Sequence, residues 1–267
     1  MTEGSAVPST LLVLGHGTRD SAGTAEFLTI VDAVRAANES WKVVAAFLEF
    51  GGSQVPSIDE ALADCVRDGA EQVVALPLLL HHAGHDKSDV PRTVAQASLH
   101  YPGVDVRLAP AVAFDPRLLQ IVEERIAELV NGSAQRPEGT TVLLVGRGST
   151  HTDANAEFHE VGRRLAAQAG YRAETCFVSL AAPDVCQGLE RCVAGGARHV
   201  LVIPYFVHTG ILVSRIAEQA AVAAERLPGV QVRIGRPFGA HPHLVDVMWE
   251  RARSALVAAP VAGARSG

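Results

Sequence analysis

Aromatic residues make up only 5% of this 267-residue chain, and no basic stripe alternates with them. A base-stacking platform for nucleic acid needs both, and a formal net charge of −6 repels phosphates further. No nucleic-acid partner is expected. Long apolar runs are missing as well: none approaches the roughly 20 residues that a membrane helix requires, so no membrane association is expected. The opening stretch, MTEGSAVPST, lacks the basic-then-apolar order of a signal peptide. Cysteine is scarce, and Cys65, Cys176, Cys186 and Cys192 form no CxxC pair. Buried free thiols in a reducing cytoplasm are the expectation, with a disulfide the lesser alternative. The common cofactor and nucleophile motifs fail too. Gly15-His16-Gly17 is followed by Asp20 where the dinucleotide fingerprint needs glycine, and there is no GxxxxGK[ST] loop. Neither a GxSxG elbow nor an HExxH helix occurs. These gaps argue against a nucleotide cofactor, a serine hydrolase and a zinc protease.

What the chain does contain is an internal repeat. Thr10-LLVLGHGT answers Thr141-VLLVGRGS, and Ala25-Glu26-Phe27 answers Ala156-Glu157-Phe158. Phe47-Leu48-Glu49 corresponds to Phe177-Val178-Ser179, and Pro56 to Pro183. Val73-VALPLLL matches Val200-LVIPYFV, and Tyr101-PGVDVRLAP matches Leu227-PGVQVRIGR. Two copies of one unit are therefore expected, at 10–131 and 141–256. Residues 1–9 and 257–267 read as tails, and the polar, Gly- and Pro-containing 132–140 as a linker.

Each copy alternates strand and helix. In the first, strands are predicted near Leu11–Leu14, Val43–Leu48, Gln72–Leu78 and Asp105–Leu108. Helices are predicted from Ala25 to Val34, over Ser57–Asp68 with Ser57 as cap, from Pro91 to about His100, and over Pro116–Val130. Such alternation implies an α/β fold: two tandem domains related by a pseudo-twofold, each a parallel sheet flanked by helices, with a cleft between them.

The residues with useful chemistry follow the predicted strands of the first copy. His16 follows the first strand, Glu49 the second and His85 the third. In a parallel sheet, ligands bind beyond the carboxyl ends of the strands, so these three are expected to converge. His16 alone can face a ligand or bond to nearby backbone. Two imidazoles and a carboxylate suit a borderline divalent metal, and a neutral imidazole can also accept a proton. The second copy has Arg147, Ser179 and, after a one-residue gap, Ile211 in their places. A set needed only for folding should have been kept in both copies. His81 and His82 have a spacing to His85 that holds metals on helices, but Gly84 argues for a loop there. His151, His159, His208, His241 and His243 share no spacing and read as surface or satisfied histidines. Arg19, Lys87, Arg92, Arg147 and Arg215 read singly as a solvated rim; together they can hold an anionic ligand.

These stretches resemble the sirohydrochlorin chelatases of the CbiX/SirB type, class II tetrapyrrole chelatases. The resemblance rests on GHGTRD after the first strand, FLEF with PSIDEAL after the second, and PLLLHHAGHDKSDVP after the third. In the second half, Pro204-YFVHTGILVSRI resembles the degenerate partner loop of two-domain members. The resemblance implies insertion of a divalent metal into sirohydrochlorin, with iron the first expectation and cobalt the second, in sirohaem or cobalamin synthesis. It implies catalytic and metal-holding roles for His16, Glu49 and His85. It also implies macrocycle contacts from Phe50 and from Leu80, His81, His82, Ala83 and Gly84, with Arg147 among the cations facing an anionic substrate. The spacing from Glu49 to Pro56 is longer than the family pattern. No iron–sulfur CxxC or His-rich tail is present, so no such cluster is expected.

Metallation expels pyrrole protons, so bases beside the metal fit the reaction. An incomplete protein cage also fits, because a closed one retains its ion. The first domain is expected to carry the chemistry and the second to supply an opposite wall, in a monomer whose duplication replaces a homodimer. A tetrapyrrole or metal carrier without turnover is the alternative from another class. A nucleotide-binding enzyme is a third.

Overall fold

The computed structural model describes residues 9–52, 54–80, 84–130 and 137–257, and of residues 84–88 the backbone alone. The first repeat runs β1 (Thr10–Gly15), α1 (Ser21–Ala37), β2 (Lys42–Phe47), α2 (Ile58–Arg67), β3 (Gln72–Pro77), α3 (Gly84–Ser98), β4 (Asp105–Leu108) and α4 (Pro116–Leu129). The second runs β5 (Thr140–Gly146), α5 (Thr152–Ala169), β6 (Arg172–Phe177), α6 (Val185–Ala194), β7 (His199–Pro204), α7 (Ile211–Glu225), β8 (Gln231–Ile234) and α8 (Pro242–Ala255). The strands pair in parallel as β2-β1-β3-β4 and β6-β5-β7-β8, two copies of one α/β plan.

The central strands are apolar after their first residues because both faces are covered. Every residue of β1 is buried. On one face Leu12 and Leu14 pack with Ile58, Leu62 and Cys65 of α2 and with Val90 and Val94 of α3. In the second sheet Leu143 and Val145 pack with Val185, Leu189 and Cys192 of α6 and with Ile216 and Ala220 of α7. The predicted strands agree with β1 to β4 to within two residues. Ser57 does cap α2: its hydroxyl accepts from the Glu60 N–H, and the Glu60 carboxylate accepts from the Ser57 N–H at 2.8 Å. All four cysteines are free, and Cys65, Cys176 and Cys192 are buried. No helix among the described residues is long and apolar enough to cross a membrane.

Two helices start earlier than the sequence predicts. α1 begins at Ser21, four residues before Ala25, because Asp20 caps it there by accepting from the Ala22 N–H. α3 begins at Gly84, seven residues before the Pro91 start that the proline suggested. Pro91 lies inside the helix, where it costs one backbone hydrogen bond but fits the turns that follow. Gly84 and His85 therefore belong to the first turn of a helix, not to a loop.

The compact units do not coincide with the sequence repeats. One comprises residues 1–113 and 240–267, the other 114–239, so the closing helices are exchanged. Within the first unit α8 lies against α1: the Trp249 indole N–H donates to the Val34 carbonyl at 3.1 Å, and its ring meets Trp41 edge-on at 5.5 Å. Within the second, α4 is anchored by Arg125, which is 2% exposed. Its guanidinium donates to the Pro237 and Phe238 carbonyls at 3.1 and 2.6 Å and pairs with Glu128 at 2.6 Å. The chain crosses between units beside two residues that occupy equivalent places in the repeats. These are Ala113 and Gly239, both in the left-handed region at φ +39° and +64°.

Candidate active site

The site begins at the end of β1. A β-carbon on Gly15 would stand 2.9 Å from the Phe27 ring and 3.0 Å from the Phe47 ring. The glycine thus makes room for that aromatic pair, whose centroids are 5.0 Å apart. The same packing recurs at Gly146, under Phe158 and Phe177. It closes the apolar core under the end of the strand, and the next residue, His16, emerges partly exposed.

The sheet ladder continues past β2. The Leu48 N–H donates to the Gly15 carbonyl at 2.9 Å, and the Glu49 N–H to the His16 carbonyl at 3.0 Å. Gly17 follows at φ +104°, with its backbone pressed against the Glu49 carbonyl: a β-carbon there would lie 1.9 Å from that oxygen. Only glycine permits both the conformation and the approach. His16 and Glu49 are therefore neighbours by backbone geometry. Among the described residues, neither side chain has an ion-pair or hydrogen-bond partner that would satisfy it internally. Glu49 is exposed.

The third strand borders β1 on its other side, and the Leu78 N–H donates to the Leu14 carbonyl at 2.8 Å. The chain then passes through buried Leu80 to His85, whose backbone lies in the first turn of α3. The strand order reverses at β1, so the segments bearing His16 and His85 flank the crevice where ligands settle in such sheets. The His85 side chain, and the whole of His81, His82 and Ala83, lie outside the described residues. Phe50 is 49% exposed at φ +56°. Arg147 occupies in the second unit the place that His16 holds in the first, and its carbonyl accepts from the Ser179 N–H at 3.1 Å. Ile211, the position that answers His85, opens α7 and is exposed.

Three of the histidines read as satisfied have internal partners. His208 Nδ1 lies 2.6 Å from the Thr209 carbonyl, and His241 caps α8 by accepting from the His243 N–H. His159 Nδ1 lies 2.5 Å from the Thr175 hydroxyl, and burial lowers its pKa, with nearby arginines adding to the effect. One feature of the site has no signal in the sequence: the Arg19 guanidinium sits 4.6 Å over the Phe50 ring. Comparing the repeats at one further position marks Arg19 as different, since Thr150 replaces it, but does not reveal what it stacks on.

The CbiX family model matches residues 10–129 and 141–255, both repeats and nearly the whole chain. The chain belongs to the CbiX family. A sirohydrochlorin cobaltochelatase of Priestia megaterium is 32% identical over 92% of this chain and 79% of its own. A sirohydrochlorin ferrochelatase of the same organism is 29% identical over 78% of this chain and 77% of its own. The fold agrees with that of a crystal structure of the sirohydrochlorin chelatase SirB from Bacillus subtilis subspecies spizizenii in complex with cobalt. That match has a TM-score of 0.76 and 23% identity, and covers 93% of this chain and 95% of that one. As a CbiX-family chain, the protein keeps the parallel-sheet scaffold in both repeats while holding His16, Glu49 and His85 in one.

Proposed function

We propose that this CbiX-family chain is a sirohydrochlorin chelatase, a lyase-class enzyme that inserts divalent iron or cobalt into the macrocycle. The metal is a substrate here, not a resident cofactor. The observation that carries the reading is the pairing of His16 with Glu49 at adjoining strand ends, in the repeat whose third strand leads to His85. The matching positions of the other repeat hold Arg147, Ser179 and Ile211.

The chemistry follows from the residue types. A neutral imidazole offers a nitrogen lone pair to a borderline ion, so His16 and His85 present the metal. Pyrrole N–H protons must leave as the metal–nitrogen bonds form. Glu49, exposed beside His16, takes up a departing proton and passes it to solvent. Two imidazoles, with Glu49 at most a third donor, leave positions open on the ion, which lets it transfer to the macrocycle instead of remaining caged.

The test is anaerobic metallation of sirohydrochlorin by the purified full-length chain, followed by absorbance with iron, cobalt and nickel. Wild type is expected to accelerate the spectral change, and His16→Ala and His85→Ala to lose about 100-fold or more. Both variants metallating at the wild-type rate would refute the assignment. Binding of the macrocycle without acceleration would instead identify a carrier.

A further inference from the structure

Arg19 and Phe50 form a pair that neither the core nor the metal chemistry explains. Phe50 is nearly half exposed and holds φ +56°, a region costing an L-residue about 1–2 kcal/mol. Its ring is not buried in exchange for that cost. It carries the Arg19 guanidinium at 4.6 Å. Among the described residues no carboxylate pairs with Arg19.

Both partners are held by their backbones. Arg19 lies between Gly17, pressed against the Glu49 carbonyl, and Asp20, whose N–H donates to the Thr18 hydroxyl at 3.0 Å. The Asp20 carboxylate in turn caps α1 by accepting from the Ala22 N–H. Phe50 directly follows Glu49, which is tied to His16. The second repeat keeps this backbone: Gly148 has φ +85°, its β-carbon would lie 2.0 Å from the Ser179 carbonyl oxygen, and Leu180 holds φ +61°. It lacks the pair, having Thr150 and Leu180 instead. The scaffold therefore does not require an arginine stacked on a ring. The stack occurs only in the repeat that bears His16 and Glu49.

We propose that Arg19 is a specificity-determining residue of this site: resting on the Phe50 ring, it receives one peripheral carboxylate of the tetrapyrrole. Phe50 is its positioning residue. The inference rests on the chelatase reading and deepens it. Guanidinium is the suitable group, since its planar fork matches a carboxylate with two parallel hydrogen bonds while its face stays on an aromatic ring. Stacking also limits the conformers that arginine must give up on binding, which favours a defined orientation of the macrocycle beside His16.

The experiment is cobalt insertion by the full-length protein, with initial rates measured against sirohydrochlorin and, separately, against metal. Arg19→Ala is expected to raise KM for the tetrapyrrole about tenfold, equivalent to about 1.4 kcal/mol. KM for cobalt should change by less than about twofold, since the ion does not meet Arg19. Arg19→Lys should recover part of the loss, because it keeps the charge without the fork. Adding sodium chloride should raise the wild-type KM for the tetrapyrrole more steeply than that of Arg19→Ala. Phe50→Leu, the residue of the other repeat, should raise the same KM less, and should add little to Arg19→Ala in the double variant. Thermal melts of all variants separate folding from binding. Arg19→Ala with unchanged tetrapyrrole KM and unchanged salt response overturns the Arg19 assignment while leaving the chelatase reading intact. A wild-type chain that metallates nothing overturns the chelatase reading, and the Arg19 assignment with it.

Discussion

At Gly17 a β-carbon would sit 1.9 Å from the Glu49 carbonyl oxygen, at a φ of +104° that side-chain-bearing residues avoid. The same conflict exists at Gly148, where the Ser179 carbonyl oxygen would be 2.0 Å away. One contact thus serves two purposes in the two repeats. In both it ties the first strand's loop to the second strand's loop. In the first alone, the tied loops carry His16 and Glu49. Gly17→Ala and Gly148→Ala are accordingly expected to lower stability by similar amounts, about 1–3 kcal/mol of strain each, read by denaturant melts. Their metallation rates should differ. Gly17→Ala must push the Glu49 loop away from His16, so its rate should fall far beyond what the unfolded fraction explains. Gly148→Ala should keep its rate once corrected for the folded fraction. Equal loss of rate in both would mean that the Gly17 contact is scaffold only.

Among the elements, the α2 start shows how a local sequence pattern becomes a measurable contribution. Ser57 and Glu60 satisfy each other's exposed N–H groups, and the Glu60 carboxyl is held below its ordinary pKa by the Ser57 N–H and then by its hydroxyl. A lowered folded-state pKa means that folding favours the ionised form. This contribution is therefore present above the ordinary glutamate range and is lost as pH falls through the folded value. Ser57→Ala is expected to cost about 1 kcal/mol at neutral pH, and Glu60→Gln to flatten the acid limb of the stability profile. α6 provides the comparison, since its box pairs Asp184 with an uncharged Gln187. Such features were legible in the sequence because they are local: a cap, an apolar run, a Gly at a strand end. That the backbones of His16 and Glu49 adjoin was legible too, because parallel topology leaves few alternatives. The start of α3 was not. Pro91 and Gly84 are both locally ambiguous, and a helix packed on β4 and α2 tolerates an internal proline that an isolated one would not. The Arg19–Phe50 stack was hidden for another reason, since it joins residues 31 positions apart through loop conformations that no periodicity encodes.

For the whole molecule, the repeat in the sequence and the units in space divide the chain differently, and folding must obey the second division. An alignment finds similarity, which persists in α4 and α8 wherever they pack. The sheets need cover, and cover is supplied across the repeat boundary. α8, from the end of the chain, donates Trp249 to the Val34 carbonyl, while α4 buries Arg125 under the Pro237 and Phe238 carbonyls. Unit 114–239 is thus continuous in sequence, whereas the other unit needs both ends of the chain. The fragment 114–239 is expected to unfold in one cooperative transition with protected amides in β5 and β7. The repeat fragment 141–256 lacks α4, leaving the Pro237 and Phe238 carbonyls without Arg125 and exposing the apolar face of β7 that α4 covers. It also carries α8 without the α1 surface that receives it. That fragment should show a broad transition and bind a hydrophobic dye. In the intact chain both tryptophans, Trp41 and Trp249, lie in the discontinuous unit, so tryptophan fluorescence follows that unit while circular dichroism follows both. Deleting residues 240–267 should abolish the native fluorescence signal and leave a cooperative dichroism transition resembling that of 114–239. If instead 141–256 folded cooperatively and 114–239 did not, the exchanged helices would be incidental to folding and the repeat would be the folding unit.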